Sequence, residues 1–174
     1  MTMMSRYMNK LGNSREIVDL MQSIFVSELL SPSRCLWIVS PWISDIPLID
    51  NRSNQFLTLE PNWARRKVVF SEVLAHLLQR GTTIHIAAKP DQKNRTFLEA
   101  MRARGAGLNK LEIHLSAALH SKGILGDDFY LSGSMNITFN GIELADESVQ
   151  FHMDPEVVSS NRIDFLNWWG GEKQ

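Results

Sequence analysis

Cysteine is almost absent from this chain. Cys35 stands alone among 174 residues, which excludes an internal disulfide and a cysteine-based zinc site. Its setting, Cys35-Leu36-Trp37-Ile38-Val39, is apolar and reads as core packing rather than as a reactive thiol. An excess of charge is also missing. Eighteen basic residues face nineteen acidic ones, for a formal net charge of -1, so any contact with nucleic acid or an anionic membrane must come from a local patch and not from the chain as a whole. No run approaches the ~18 apolar residues of a membrane span, and Met1 to Arg6 lacks the apolar segment of a signal peptide. These absences lead to the expectation of a cytoplasmic protein without membrane contact.

What is present is ordinary globular material: 44% apolar and 21% charged residues, enough to bury a real core and too apolar for a disordered chain. The length suits a single domain over residues 1–174. Asn13 with Glu16 forms a capping-box pattern, and Ile17, Leu20, Met21, Ile24, Phe25 and Leu29 follow at helical spacing up to Ser31-Pro32. Leu36 to Ser40 reads as a buried strand closed by Pro41. Residues 45–63 show no sustained period and read as a long loop or irregular excursion.

A second helix is expected from about Arg65 to Arg80, stopped by Gly81, followed by a strand over Thr82 to Ala88. Asp91 to Arg104 reads as helical, and Leu111, Ile113 and Leu115 alternate as a strand. Two short apolar runs around Gly126-Asp127-Asp128 give a hairpin pattern. A strand around Ser148 to His152 and a helix opened by Asp154-Pro155 complete the chain. There is no internal repeat. The fold class is α/β, a mixed central β-sheet flanked by helices.

The chemistry is concentrated in His120-Ser121-Lys122-Gly123-Ile124-Leu125-Gly126-Asp127, followed by Gly133-Ser134-Met135-Asn136-Ile137-Thr138 and later by Glu147. His120 and Lys122 are two apart and, if on a strand, project from one face. A hairpin would return Ser134 and Asn136 to that face. An imidazole, an ammonium, a hydroxyl and an amide then converge, a set suited to holding a phosphate while the imidazole attacks it.

These residues resemble the phospholipase D superfamily, whose signature is His-x-Lys, four residues, Asp, and about six residues later Gly-Ser-x-Asn. His120, Lys122 and Asp127 match the first half in full, and Gly133-Ser134-Met135-Asn136 matches the second. Only five residues separate Asp127 from Gly133, a departure that leaves the role of Asp127 open, with Asp128 as a possible substitute. The likeness is carried by about residues 111 to 152.

Glu147 falls where the family's histidine-orienting acid is expected. The resemblance implies a phospholipase D-like fold and a hydrolase that acts as a metal-independent phosphodiesterase with no cofactor. His120 would be the phosphorus nucleophile or its partner acid, Lys122 and Asn136 would bind and stabilise the phosphate oxygens with Ser134 in support, and Asp127 would complete the catalytic set with Glu147. Because the chain holds one His-x-Lys, it also implies a homodimer in which two copies of His120 share one phosphate, as in the family's small single-motif nucleases.

The implied partner is nucleic acid, with DNA as the expected polymer. Small phospholipase D-like proteins also occur in restriction, DNA-modification and phage-defence islands, and Ser40-Pro41-Trp42-Ile43-Ser44-Asp45 together with Gly-Ser-Met-Asn is similar to the member associated with deazaguanine DNA modification. Two other classes remain open: a non-catalytic nucleic-acid-binding or scaffold subunit, and a phospholipid-acting hydrolase or transferase. Trp42 could stack on a base or simply pack. Trp168-Trp169 could be a contact surface, although capping of the core is favoured. Arg102, Arg104 and Lys110 form a modest basic cluster of the kind usually found on a solvated face.

Overall fold

The computed structural model of the chain describes residues 5–9, 14–144 and 147–170. Nine strands and four α-helices lie within them. In chain order they are β1 (Ser5–Asn9), α1 (Ser14–Leu30), β2 (Cys35–Val39), β3 (Pro47–Asp50), β4 (Lys67–Val69), α2 (Phe70–Gln79), β5 (Thr83–Ala88), α3 (Arg95–Gly105), β6 (Leu111–Leu115), β7 (Gly123–Leu125), β8 (Tyr130–Gly133), β9 (Ser148–His152) and α4 (Pro155–Trp169). Seven strands form the main sheet in the order β1-β9-β8-β7-β2-β5-β6, while β3 and β4 make a separate ribbon. The sheet is mixed: β2, β5 and β6 are parallel, and β7, β8, β9 and β1 join by antiparallel pairing.

β2 is a continuous apolar run because it lies inside the sheet with both faces covered. Its side chains divide by alternation. Leu36 and Ile38, with Ile84, Ile86, Ile124, Leu131 and Val149 of neighbouring strands, enter the large core beneath α1, α2 and α3. Trp37, Val39, Ala87 and Leu125 enter a smaller core closed by Val158 and Phe165 of α4. Cys35, at the start of β2, is half-buried against this second core. Trp169 also packs there, whereas Trp168 is 56% exposed, so only one of the pair caps the core.

Three sequence expectations need correction. Residues 45–63 are not simply loop, because β3 pairs there with β4 in an antiparallel ribbon. The segment is organised by the buried amide of Asn51, which donates to the Trp63 carbonyl at 3.0 Å and accepts from the Phe56 amide at 2.8 Å. Secondly, the second helix begins at Phe70 and not near Arg65. Arg65 has a left-handed backbone (φ 56) and the next residues pair as β4. The Asp45 carboxylate then caps α2 from a distance, accepting from the Ser71 amide at 2.8 Å and its hydroxyl at 2.7 Å. Thirdly, β1 has no counterpart in the sequence reading; it pairs with β9 at the far end of the chain. Of the capping box, Asn13 lies outside the described residues.

Candidate functional site

The parallel strands β2 and β5 end at Val39 and Ala88, and β6 at Leu115, all on one edge of the sheet. β7 runs the opposite way and starts on that edge, with Gly123 opposite Val39. β8 ends there at Gly133, facing Val149 near the start of β9. The loops after β2, β5, β6 and β8 and the segment before β9 therefore gather at one edge, where α/β sheets offer their sites. Of the residues singled out in the sequence, His120, Lys122, Ser134, Asn136 and Glu147 belong to these loops.

Their local setting differs from the sequence expectation in one respect. His120 and Lys122 are not on a strand, because β7 starts only at Gly123. The short segment before it is held by the Lys122 ammonium, which donates to the His120 carbonyl at 3.0 Å. The His120 side chain is exposed, and its imidazole has no hydrogen-bond partner among the described residues. Ser134 donates a short hydrogen bond to the Glu147 carboxylate and accepts from the Ser148 amide at 3.2 Å. Glu147 is thus engaged by Ser134 within the chain.

Two glycines explain how the Gly-Ser-Met-Asn turn fits. Gly133 has φ 151, and a Cβ there would stand 2.1 Å from the Ser148 carbonyl oxygen. A Cβ on Gly141 would stand 2.2 Å from the carbonyl oxygen of Asn136. A side chain at either glycine would therefore push against the backbone beside Ser134 and Asn136. Asn136 is joined to the loop after β2 through Ser40, whose hydroxyl donates to the Trp42 carbonyl (2.8 Å), approaches Asn136 Oδ1 (3.4 Å) and accepts from the Ile137 amide (3.3 Å). The Ser44 amide donates to the Ile137 carbonyl at 2.8 Å.

A cavity of about 420 Å³ opens beside Asn136, walled by Trp42, Lys93 and Phe139. Lys89 and Lys93 lie 5.2 and 5.3 Å from the Trp42 ring centroid, and the indole donates to Asp91 at 3.3 Å. The Asp91 carboxyl is held below its usual range by the Lys93 amide and then by that indole. Under this loop pair, the buried amide of Asn94 accepts from the Ile43 amide (2.7 Å) and donates to the carbonyls of Pro41 (2.9 Å) and Lys89 (2.8 Å). The sequence singles out Ser40 only within the segment Ser40 to Asp45 and marks neither Lys93 nor Asn94. Each is a single polar residue in a loop, and no spacing rule marks it.

Asp127 stands apart from the others. It lies in the turn between β7 and β8, at the opposite edge of the sheet. Its carboxylate accepts from the Arg34 amide (2.9 Å) and guanidinium (3.2 Å) and from Arg162 of α4 (3.3 Å). Burial pushes this carboxyl up, but the bonds from Arg34 and Arg162 outweigh it and leave it below the usual range. The shortened spacing to Gly133 matches a tight turn closed by the Gly126 amide on the Phe129 carbonyl at 3.0 Å. Asp128 is exposed beside it.

No family model and no curated protein matches the chain. Solved structures do. The chain is similar to NucT from Helicobacter pylori, with 13% identity, a TM-score of 0.63 and 95% of each chain covered. It is similar to Nuc from Salmonella typhimurium, a phospholipase D family member, with 12% identity, a TM-score of 0.64, and 97% of this chain and 95% of that one covered. Polyphosphate kinase from Porphyromonas gingivalis matches 97% of this chain with 26% of its own length, at 11% identity and a TM-score of 0.65. The chain has the phospholipase D-like α/β fold.

Proposed function

We propose that a chain with this fold, carrying His120 and Lys122 beside Ser134 and Asn136, is a phosphodiesterase that cleaves nucleic acid, with DNA as the polymer. The observation that supports the reading is that the β6–β7 connection, with His120 and Lys122, and the β8–β9 connection, with Ser134, Asn136 and Glu147, both lie at one sheet edge. The lysines around Trp42 supply the local positive charge that the net charge of -1 does not. Trp42, in the wall of the cavity, offers an aromatic ring on which a base would stack.

The working unit is a two-fold dimer in which two copies of His120 flank one phosphate. An imidazole nitrogen of one His120 attacks phosphorus and forms a P–N bond. The P–O bond to the leaving strand breaks, and the leaving oxygen takes a proton from His120 of the partner subunit. Water then gives a proton to that second imidazole and attacks phosphorus, breaking the P–N bond and restoring both side chains. Lys122 and Asn136 stabilise the non-bridging oxygens. Glu147, holding Ser134, is a positioning residue, and Asp127 fastens the hairpin that carries the motif. In this reading the second imidazole supplies the proton and Lys122 and Asn136 the charge stabilisation, so no step calls on a metal or a cofactor.

The test is incubation of the protein with labelled single- and double-stranded DNA, and with RNA, in excess chelator beside His120→Ala. Cleavage of DNA that survives chelation and disappears in the variant is the expected result. Cleavage that persists in His120→Ala overturns the mechanism. Tight binding without cleavage makes the chain a non-catalytic binding subunit instead.

A further inference from the structure

On the sheet face covered by α4, three side chains converge that the proposed reaction does not use. His85 lies in the middle of β5, and Glu112 and His114 lie two apart on the neighbouring parallel strand β6. The register pairs His85 with Glu112 and Ala87 with His114, so all three project from the same face. Their polar atoms form a compact triangle. His85 Nδ1 lies 3.3 Å from His114 Nε2 and 3.5 Å from a Glu112 carboxylate oxygen, which in turn lies 3.8 Å from His114 Nε2.

Those separations are short enough for one ion to touch all three atoms. A point about 2.1 Å from all three atoms lies inside the triangle, which is the bond length of zinc to imidazole nitrogen and carboxylate oxygen. The donors are also suited to zinc: two imidazoles and one carboxylate select a borderline ion over calcium or magnesium, which take oxygen ligands. The rings are held in place before any ion arrives. His85 stacks on Trp37 with centroids 4.0 Å apart and planes at 11°, and Trp37 is 1% exposed. The His114 ring lies 5.6 Å from that of His85, also at 11°.

Access comes from topology. β6 is the edge strand of the sheet, and the Glu112 side chain is 58% exposed while those of His85 and His114 are 12% and 15% exposed. A fourth position is thus open to water beside Glu112. The geometry points to a zinc site made by His85, Glu112 and His114 that fastens the edge strand β6 to β5, apart from the phosphate site. The nearest alternative is a direct imidazole–imidazole hydrogen bond beside a carboxylate, with no ion.

Chelator-stripped protein is titrated with Co²⁺ and then Zn²⁺, followed by visible absorption and calorimetry, beside Glu112→Gln, His114→Ala and His120→Ala. The expected result is one Co²⁺ per chain with tetrahedral ligand-field absorption, displaced by Zn²⁺. Affinity falls more than tenfold in Glu112→Gln and His114→Ala and is unchanged in His120→Ala. Zn²⁺ also raises the unfolding temperature of the parent and not that of His114→Ala. Glu112→Gln changes an exposed side chain and keeps the test interpretable if His114→Ala does not fold. Absence of saturable binding, binding equal in Glu112→Gln and the parent, or binding lost with His120→Ala overturns the site. Cleavage in chelator is a separate measurement, so this site and the proposed reaction can fail independently.

Discussion

At one edge of the central sheet, Asp127 accepts hydrogen bonds from Arg34 and Arg162 and is ion-paired with both. At the other edge, at the start of the same hairpin, the His120 imidazole is exposed without a hydrogen-bond partner among the described residues. The two belong to one short motif, yet the strand Gly123–Leu125 lies between them, a span of about 10 Å at the usual rise of a strand. The difference teaches that the motif's spacing measures a strand. Its leading residues are presented to solvent, where a substrate can meet them, and its closing aspartate fastens the strand's far end to α4 and to the start of β2.

The largest effect that would sharpen this contrast is on activity. His120→Ala should lower cleavage on the order of 10³-fold or more and leave the unfolding midpoint unchanged, because an exposed side chain without partners contributes little to stability. Chelated cleavage assays and thermal melts on one preparation would check both halves. A fall in the midpoint with activity retained would reverse the assignment of the two edges.

Next in size is Gly133→Ala. The added Cβ meets the Ser148 carbonyl oxygen at 2.1 Å in a backbone already at φ 151, so a loss of about 2–4 kcal/mol in urea unfolding is expected. A neutral outcome would mean that the turn carrying Ser134 is not fixed by its backbone. At the Asp127 edge the effect is smaller. Asp127→Ala should cost about 1–3 kcal/mol, the range for half-buried donors that lose their acceptor, because Arg34 is 92% exposed and regains water. Cleavage per folded molecule should persist, and its loss would place Asp127 in the chemistry after all.

The smallest effect is in acid. Burial raises the Asp127 carboxyl, and the bonds from Arg34 and Arg162 lower it further than burial raises it. Its folded pKa thus lies below the unfolded value of about 3.9. The stability it contributes is present above that pH and is lost as pH falls through the folded pKa. Melts of the parent from neutral pH into acid should therefore show a steeper decline below about pH 4 than those of Asp127→Asn. Parallel curves would show that the pair contributes nothing in solution.

Much of the fold was legible because its elements carry local patterns. The apolar spacing from Ile17 to Leu29 gives α1, the run Leu36 to Val39 gives β2, and Asp154-Pro155 marks the start of α4. The β3–β4 ribbon was hidden, since its stability comes from contacts made by Asn51 and Asp45 with residues distant in sequence, which no short period records. β1 was missed for the same reason: its partner is β9. At the candidate site, the residue types and their order were readable from His120 to Glu147. That His120 and Lys122 precede the strand, and that Asp127 serves α4, follows from tertiary pairing alone.

Asn94 has a consequence for motion. Its one amide ties the Ile43 amide and the carbonyls of Pro41 and Lys89 together, and it is itself fully buried. The loops after β2 and β5 therefore part only if Asn94 gives up its bonds to Ile43 and Pro41 and the Lys89 amide leaves the Pro41 carbonyl. In deuterated water the Ile43 amide should exchange as slowly as the strand amides beside it, although it lies outside every named strand. The cavity walled by Trp42 and Lys93 is in this way given a floor that hardly breathes.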